Sequence, residues 1–266
     1  MTETQHILDL AVEIALDAGR IQRERYETDF KVESKSAKID LVTEVDRECE
    51  ERIVRRIQSE RPLDAILAEE GGGEDRPEAT WRWVVDPLDG TTNYAHGFPR
   101  FCVSIGVERE GQRHIGVVYD PLLDELYRAS RGGGAWLGDR RIQVSQEERL
   151  DHALVATGFA YDVHKSAEDN FENFGRVLKA ARAIRRDGSA ALDLCYVAAG
   201  RLDAYWEFKL HAWDVAAGIL LVDEAGGRST DVEGNVAPGS GREIVCSNGL
   251  LHDEILALLR RNEQHA

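Results

Sequence analysis

Apolar residues recur at helical spacing from residue 5 to residue 26, where Ile7, Leu8, Ala11, Ile14, Ala15, Ala18 and Ile21 form one stripe. Residues 27–42 are polar and read as extended chain. Residues 43–58 predict a second helix with Val45, Cys49, Ile53, Val54 and Ile57 facing inward. A short apolar run, Ala65-Ile66-Leu67-Ala68, predicts a strand that delivers Glu69 and Glu70. Gly71-Gly72-Gly73 then breaks the chain, and 74–80 is a polar loop.

Strands are predicted in quick succession at 81–86, 101–109, 113–119 and 124–130. The bounding Gly111, Pro121 and Gly132 to Gly134 suggest an antiparallel meander. Near residue 150 the pattern changes. Strands at 153–157, 182–186, 203–207 and 243–247 alternate with helices near 166–181, 189–199, 213–225 and 249–261. Alternation of this kind points to an α/β half, so two halves dividing near 145–150 are expected. No repeat or low-complexity segment interrupts either half.

Composition narrows the partners. The 266 residues carry a formal net charge of −16, which disfavours a nucleic acid or an anionic membrane as ligand. A local basic patch at Arg182, Arg185 and Arg186 is compatible with that balance. The four cysteines, Cys49, Cys102, Cys195 and Cys246, lie far apart with no CxxC pair, and read as reduced core residues of a cytoplasmic protein. The N-terminus shows no signal peptide, and no apolar run approaches the roughly 18 residues of a membrane span.

The chemistry concentrates in Trp83 to Pro99, WVVDPLDGTTNYAHGFP. A run of β-formers ends at Asp86, and Asp89 follows with Pro87 and Leu88 between. That spacing, with its proline, predicts a sharp turn that aims both carboxylates and the Leu88 carbonyl one way. Two carboxylates at the mouth of a buried strand repel each other unless a cation lies between them. Gly90, Thr91 and Thr92 then offer N–H groups and hydroxyls suited to an anion at a helix start. The bland reading of Asp89 is a helix cap. A phosphoaspartate phosphatase would need Asp-x-Asp-Gly-Thr, and Pro87 gives the wrong spacing.

Three other segments add acids. Of Glu69 and Glu70, strand alternation lets one join a metal cluster while the other faces away; a solvated turn is the plain alternative. Thr43 and Asp46 read as a capping-box-like pair, with a second role for Asp46 in orienting a threonine hydroxyl. Asp214 begins a helix, either as a cap or as a further ligand.

Together these segments resemble the inositol monophosphatase family of magnesium-dependent, lithium-sensitive phosphatases. DPLDGTTNYAHGFP and AWDVAAG resemble its two signature motifs, and LAEEGG, DLVTEVD and IRRDGSAALDLCYVAAGRLDAYWE fit around them, over nearly the whole chain. The resemblance implies a layered αβαβα sandwich, with residues 1–148 carrying most ligands and 149–266 contributing Asp214 and substrate contacts. It implies Glu69, Asp86 and the Leu88 carbonyl as ligands of one Mg2+. Asp86, Asp89 and Asp214 would bind a second, with Glu69 touching a weaker third. Mn2+ would substitute, and Li+ and Ca2+ would inhibit. Thr91 backed by Asp46 would orient the attacking water, with Lys35 near the metal-bound waters. Gly90 and Thr91 would hold the phosphate, while Asp89, Gly188, Ser189, Glu207 and Asp214 would contact substrate. Oxygen-only ligation suits Mg2+ rather than zinc. Tyr94-Ala95 and His211-Ala212 depart from the usual pattern and are expected to adjust the shape of the site.

The activity implied is hydrolysis of inositol 1-phosphate by direct in-line attack of water, in a cytoplasmic homodimer. Fructose 1,6-bisphosphate, histidinol phosphate and adenosine 3′,5′-bisphosphate are alternatives on the same scaffold. Relatives acting on the last two tend to carry Gly-Thr-Lys, whereas this chain has Gly90-Thr91-Thr92. A regulatory protein that binds the transcription machinery is the alternative from another class.

Overall fold

The apolar stripe near the N-terminus folds as α1 (Glu3–Arg25) and packs beside α2 (Glu44–Glu60), with the ribbon β1 (Val32–Ser34) and β2 (Leu41–Thr43) between them in sequence. β3 (Ala65–Ala68), β4 (Trp81–Asp89), the short α3 (Thr91–Ala95), β5 (Cys102–Arg109), β6 (Gln112–Asp120), β7 (Glu125–Ser130), β8 (Gly134–Leu137) and β9 (Arg140–Ile142) follow. The second half holds β10 (Leu154–Thr157), α4 (Phe171–Ala180), β11 (Ala183–Arg185), α5 (Ala190–Ala198) and β12 (Ala204–Phe208). It ends with α6 (Ala212–Glu224), β13 (Arg228–Thr230), β14 (Glu243–Ser247) and α7 (His252–Leu259). This computed structural model describes residues 2–35 and 39–260; residues 36–38 of the extended stretch and residue 261 of the last predicted helix lie outside them.

Five layers result. A seven-stranded sheet runs in the order β3 to β9, antiparallel except for the β3–β4 pair, which is parallel. A five-stranded sheet has the order β11-β10-β12-β14-β13, parallel around β10 and antiparallel at β14. α1 and α2 cover one face of the larger sheet, with Ile14, Ile53, Trp83 and Ile105 in one core. α5 and α6 fill the space between the sheets, where Leu194, Ile219, Val118 and Tyr205 share a second core. α4 and α7 close the outer face over Val177, Trp206 and Ile255. Tyr205 and its neighbour Trp206 thus belong to different cores, as the period of two along a strand requires.

The position of α6 matters for the site. Gly106 and Gly116 leave room for it: a Cβ on either would come within 2.6 Å of Ala216 or Ala217. The absent side chains let the helix lie against β5 and β6, so that its first turn reaches the end of β4.

All four cysteines are buried and free, as read from the sequence. The buried His252 has both ring nitrogens engaged, at 2.9 Å from Thr230 Oγ1 and 2.8 Å from Ser247 Oγ. Thr230 already donates to the Asp231 carbonyl, so Nε2–H donates to Thr230 and Nδ1 accepts from Ser247. Burial, with Arg228 nearby, pushes its pKa down to about 4. Because the folded value lies below the unfolded one, the stability it contributes is complete above about pH 6.5 and is lost as pH falls toward 4. Urea unfolding between pH 7.5 and 4.5 should show a loss of about 2–3 kcal/mol from this group. His252→Gln should remove that part of the slope; an unchanged slope would contradict the assignment.

Candidate active site

The site grows from the end of β4. The chain does not turn at Pro87. It continues as strand through Asp86-Pro87-Leu88-Asp89, with a bulge opposite Ser104 and Cys102. Proline lacks the N–H a regular ladder needs, and the bulge accommodates that loss. The irregularity also brings Asp86, Leu88 and Asp89 to the wall of one cavity, which strict alternation would forbid for neighbours.

That cavity, of about 330 Å³, is also lined by Lys35, Glu69, Gly90, Thr91, Gly188, Glu207 and Asp214. Ten of the predicted residues therefore meet there, from both sheets. Asp46 and Ser189 stand behind the wall. The Thr91 hydroxyl donates to Asp46 Oδ1 at 2.8 Å, and the Ser189 hydroxyl donates to Asp89 Oδ2 at 2.6 Å.

Several local expectations change. Asp89 does not cap the helix that follows it. The N-cap of α3 is Gly90, whose φ of 96° and crowding by the Arg100 carbonyl favour glycine. Asp89 instead accepts the Ala191 N–H at 2.8 Å, at the positive end of α5. Glu69 and Glu70 lie in the turn beyond β3, so strand alternation does not separate them. Lys35, at the tip of the β1–β2 ribbon, binds Glu69 at 2.7 Å and also reaches Glu70. Tyr94 points into the core, with its hydroxyl on the Gln22 carbonyl and its ring against Phe101, and does not shape the cavity. His211 does line it, stacked on Trp213.

The cap readings of the other two acids hold alongside their place at the site. Thr43 and Asp46 form a full capping box on α2. Asp214, third residue of α6, accepts the His211 N–H at 2.6 Å.

Electrostatics set this cavity apart. Burial, then Glu69, Asp89 and Asp214, raise the Asp86 pKa far above the usual carboxylate range. Asp214 is raised likewise, first by burial and then by Glu69. Burial also lifts Glu69 to about 7 against the pull of Lys35. Asp89 is raised by burial less the bonds from Ser189 and Ala191. Burial would lower Lys35, but Glu69 and Glu70 outweigh it and raise it. Glu207 is lifted to about 7 by burial despite the Tyr205 hydroxyl and Arg186.

The acids share the cavity without closing on one point: among the described residues no three His, Cys, Asp or Glu side chains meet as a metal-ligating group. Glu69 and Asp86 lie within hydrogen-bonding reach of each other, and each acid also has a donor of its own, such as the Leu88 N–H at 3.0 Å from Asp86 Oδ1. A cavity lined by six carboxylates, among them Glu69, Asp86, Asp89 and Asp214, against Lys35, Arg186 and Lys209 has the oxygen donors and the excess negative charge that a hard divalent cation requires.

Two supporting residues escaped the sequence reading. Buried Gln22 of α1 donates to the carbonyls of Pro87 and Cys102, at 2.8 and 3.2 Å, and so fixes the bulge. Buried Glu50 of α2 accepts the N–H groups of Glu70 and Gly72, both at 2.7 Å, and so fixes the turn carrying Glu69. Their signal was a polar residue in line with buried apolar positions on the helix: Gln22 follows Ala18, and Glu50 precedes Ile53, Val54 and Ile57.

A layered α/β sandwich thus carries an acid-lined cavity to which both of its halves contribute residues. The sequence pattern of the inositol monophosphatase family matches residues 3–264. An inositol-1-monophosphatase of Rhizobium meliloti is 40% identical over 96% of this chain and 96% of its own. The Nus factor SuhB of Pseudomonas aeruginosa is 47% identical over 87% of each chain. The solved inositol monophosphatase of Anabaena superposes with a TM-score of 0.89 at 39% identity, covering 98% of this chain and 97% of that one. The chain belongs to the inositol monophosphatase family.

Proposed function

We propose that this cavity hydrolyses phosphomonoesters of small polyols, myo-inositol 1-phosphate first among them, to the alcohol and inorganic phosphate. The observation that carries the reading is the gathering of Glu69, Asp86, Asp89 and Asp214 around the Leu88 carbonyl and the Gly90–Thr91 backbone. The donor set fits Mg2+. Glu69, Asp86 and the Leu88 carbonyl would hold one ion, and Asp86, Asp89 and Asp214 a second, with Glu69 near a third. Mn2+ would substitute, and Li+ and Ca2+ would inhibit. Bound there, Mg2+ supplies positive charge for the phosphoryl oxygens and makes water more acidic.

The chain's own residues do the positioning. The Thr91 hydroxyl donates to Asp46 Oδ1 at 2.8 Å, with the Leu88 carbonyl at 3.1 Å as a second acceptor, so toward a water it would serve as an acceptor. An acceptor there orients a water for in-line attack on phosphorus. The Gly90 and Thr91 N–H groups hold the phosphate, and Asp89, Gly188, Ser189, Glu207 and Asp214 sort the leaving group by its hydroxyls. Lys35 belongs beside the site waters. Residues 1–148 and 149–266 act as two halves, the second supplying Asp214 and most substrate contacts. We further infer a cytoplasmic homodimer with no nucleic-acid or membrane ligand; no described helix is long and apolar enough to cross a membrane.

Turnover of myo-inositol 1-phosphate, fructose 1,6-bisphosphate, histidinol phosphate and adenosine 3′,5′-bisphosphate, compared as kcat/KM, tests the substrate. The inositol ester is expected to lead, and a leading nucleotide or histidinol ester would overturn the choice.

The similarity to a Nus factor supports a second reading, in which the same fold also binds the transcription machinery. Binding to purified transcription complexes should then survive Asp214→Ala, which removes a proposed metal ligand but leaves the surface. No binding by either protein would reject this second role.

A further inference from the structure

We propose that Asn93 is a positioning residue: its side-chain amide ties the phosphate-holding segment to the segment that sorts substrate hydroxyls, and so sets the distance between the two. The proposal rests on the function proposed above. Asn93 Nδ2 lies 2.8 Å from the Arg100 carbonyl, 2.8 Å from the Asp187 carbonyl and 3.4 Å from the Gly188 carbonyl. Three surrounding acceptors require the NH2 group, not the amide oxygen, to face them.

The two short bonds go to different parts of the fold. Arg100 lies between α3 and β5, on the side of the larger sheet. Asp187 lies between β11 and α5, on the side of the smaller one. Asn93 is therefore a cross-link through backbone carbonyls, two residues beyond Thr91 and beside Gly188. The fit there is close: a Cβ on Gly188 would stand 3.2 Å from Arg186 Nη1 and 3.3 Å from Asn93 Nδ2.

Other bonds cross the same boundary but serve other tasks. Ser189 and Ala191 bind Asp89, a proposed metal ligand. Arg100 donates to the buried Asp193 at 2.9 Å within α5, one helical turn from the segment. Asn93 fixes residues 187–188 to the phosphate segment by hydrogen bonds, and a longer Arg100–Asp187 ion pair at 3.9 Å crosses the boundary beside it. Losing it should leave phosphate binding intact and loosen hydroxyl recognition, because a small displacement of a positioning contact is enough to weaken binding geometry.

The test compares the full-length wild type with Asn93→Ala and Asn93→Asp. For Asn93→Ala the KM for myo-inositol 1-phosphate should rise about tenfold, with kcat within about threefold. The inhibition constant of inorganic phosphate should be unchanged. The preference for the inositol ester over p-nitrophenyl phosphate, which has no hydroxyls to sort, should fall by the same factor. Asn93→Asp should be worse than Asn93→Ala, since it sets a carboxylate against three carbonyls. Amide hydrogen exchange at 187–192 should accelerate in both variants. Proportional losses on both esters, or an unchanged preference, would overturn the proposal. Should the wild type turn over neither ester, the functional reading fails, and the exchange rates at 187–192 alone decide whether the cross-link exists.

Discussion

Asp86→Asn should abolish Mg2+-dependent phosphate release and at the same time stabilise the metal-free protein. The carboxylate is 2% exposed and faces three other acids. Its isosteric amide keeps an oxygen for the Leu88 N–H, so the bulge survives. The charge that would bridge two ions is gone, and a loss of about 10³-fold or more is expected, since an ion supplies several kcal/mol to the reaction. Without metal, replacing a carboxyl whose ionisation burial and three neighbouring acids oppose by a neutral amide should raise stability by about 1 kcal/mol. Thermal unfolding in chelator reads the second effect, and the rise in Tm on adding Mg2+ should shrink in the variant. Substantial Mg2+-dependent turnover by Asp86→Asn would contradict the bridging role.

The second large effect concerns Thr91. Thr91→Val keeps the shape but removes the oxygen that donates to Asp46 and that we propose accepts from the attacking water. The expected loss in kcat is about 10²–10⁴-fold, the range for a group acting on a proton in the transition state. KM should change little, because the Gly90 and Thr91 N–H groups proposed to hold phosphate remain. Thr91→Ser should retain most activity. Asp46→Asn should lose both activity and about 1 kcal/mol of stability, since Asp46 also closes the capping box on α2. A Thr91→Val enzyme with near-normal kcat would remove Thr91 from the reaction.

The helices and long strands were legible because a stripe of period 3.6 or 2 must face a core. β8 and β9 were not, since Gly132 to Gly134 and Gly138 interrupt so short an apolar pattern. The reach of β4 to Asp89 was hidden by Pro87, which normally ends a ladder and here sits in a bulge. The acids of the site could be read because clustered carboxylates demand a chemical reason. Their supports could not be placed: Gln22, Glu50 and Asn93 all bind backbone atoms, and a backbone partner leaves no matching side chain to find. Glu69 lines the cavity and Glu70 does not, but the turn beyond Ala68 separates them rather than strand alternation, since β3 ends before either residue.

The central claim is that this acid-lined cavity is a metal-dependent phosphomonoesterase site. Phosphate release from myo-inositol 1-phosphate, measured with Mg2+, with chelator, and with Mg2+ plus Li+, tests it most directly. The account predicts turnover with Mg2+, none in chelator, and inhibition by Li+. Turnover that persists in chelator, or a folded Mg2+-binding protein that releases no phosphate, would contradict it.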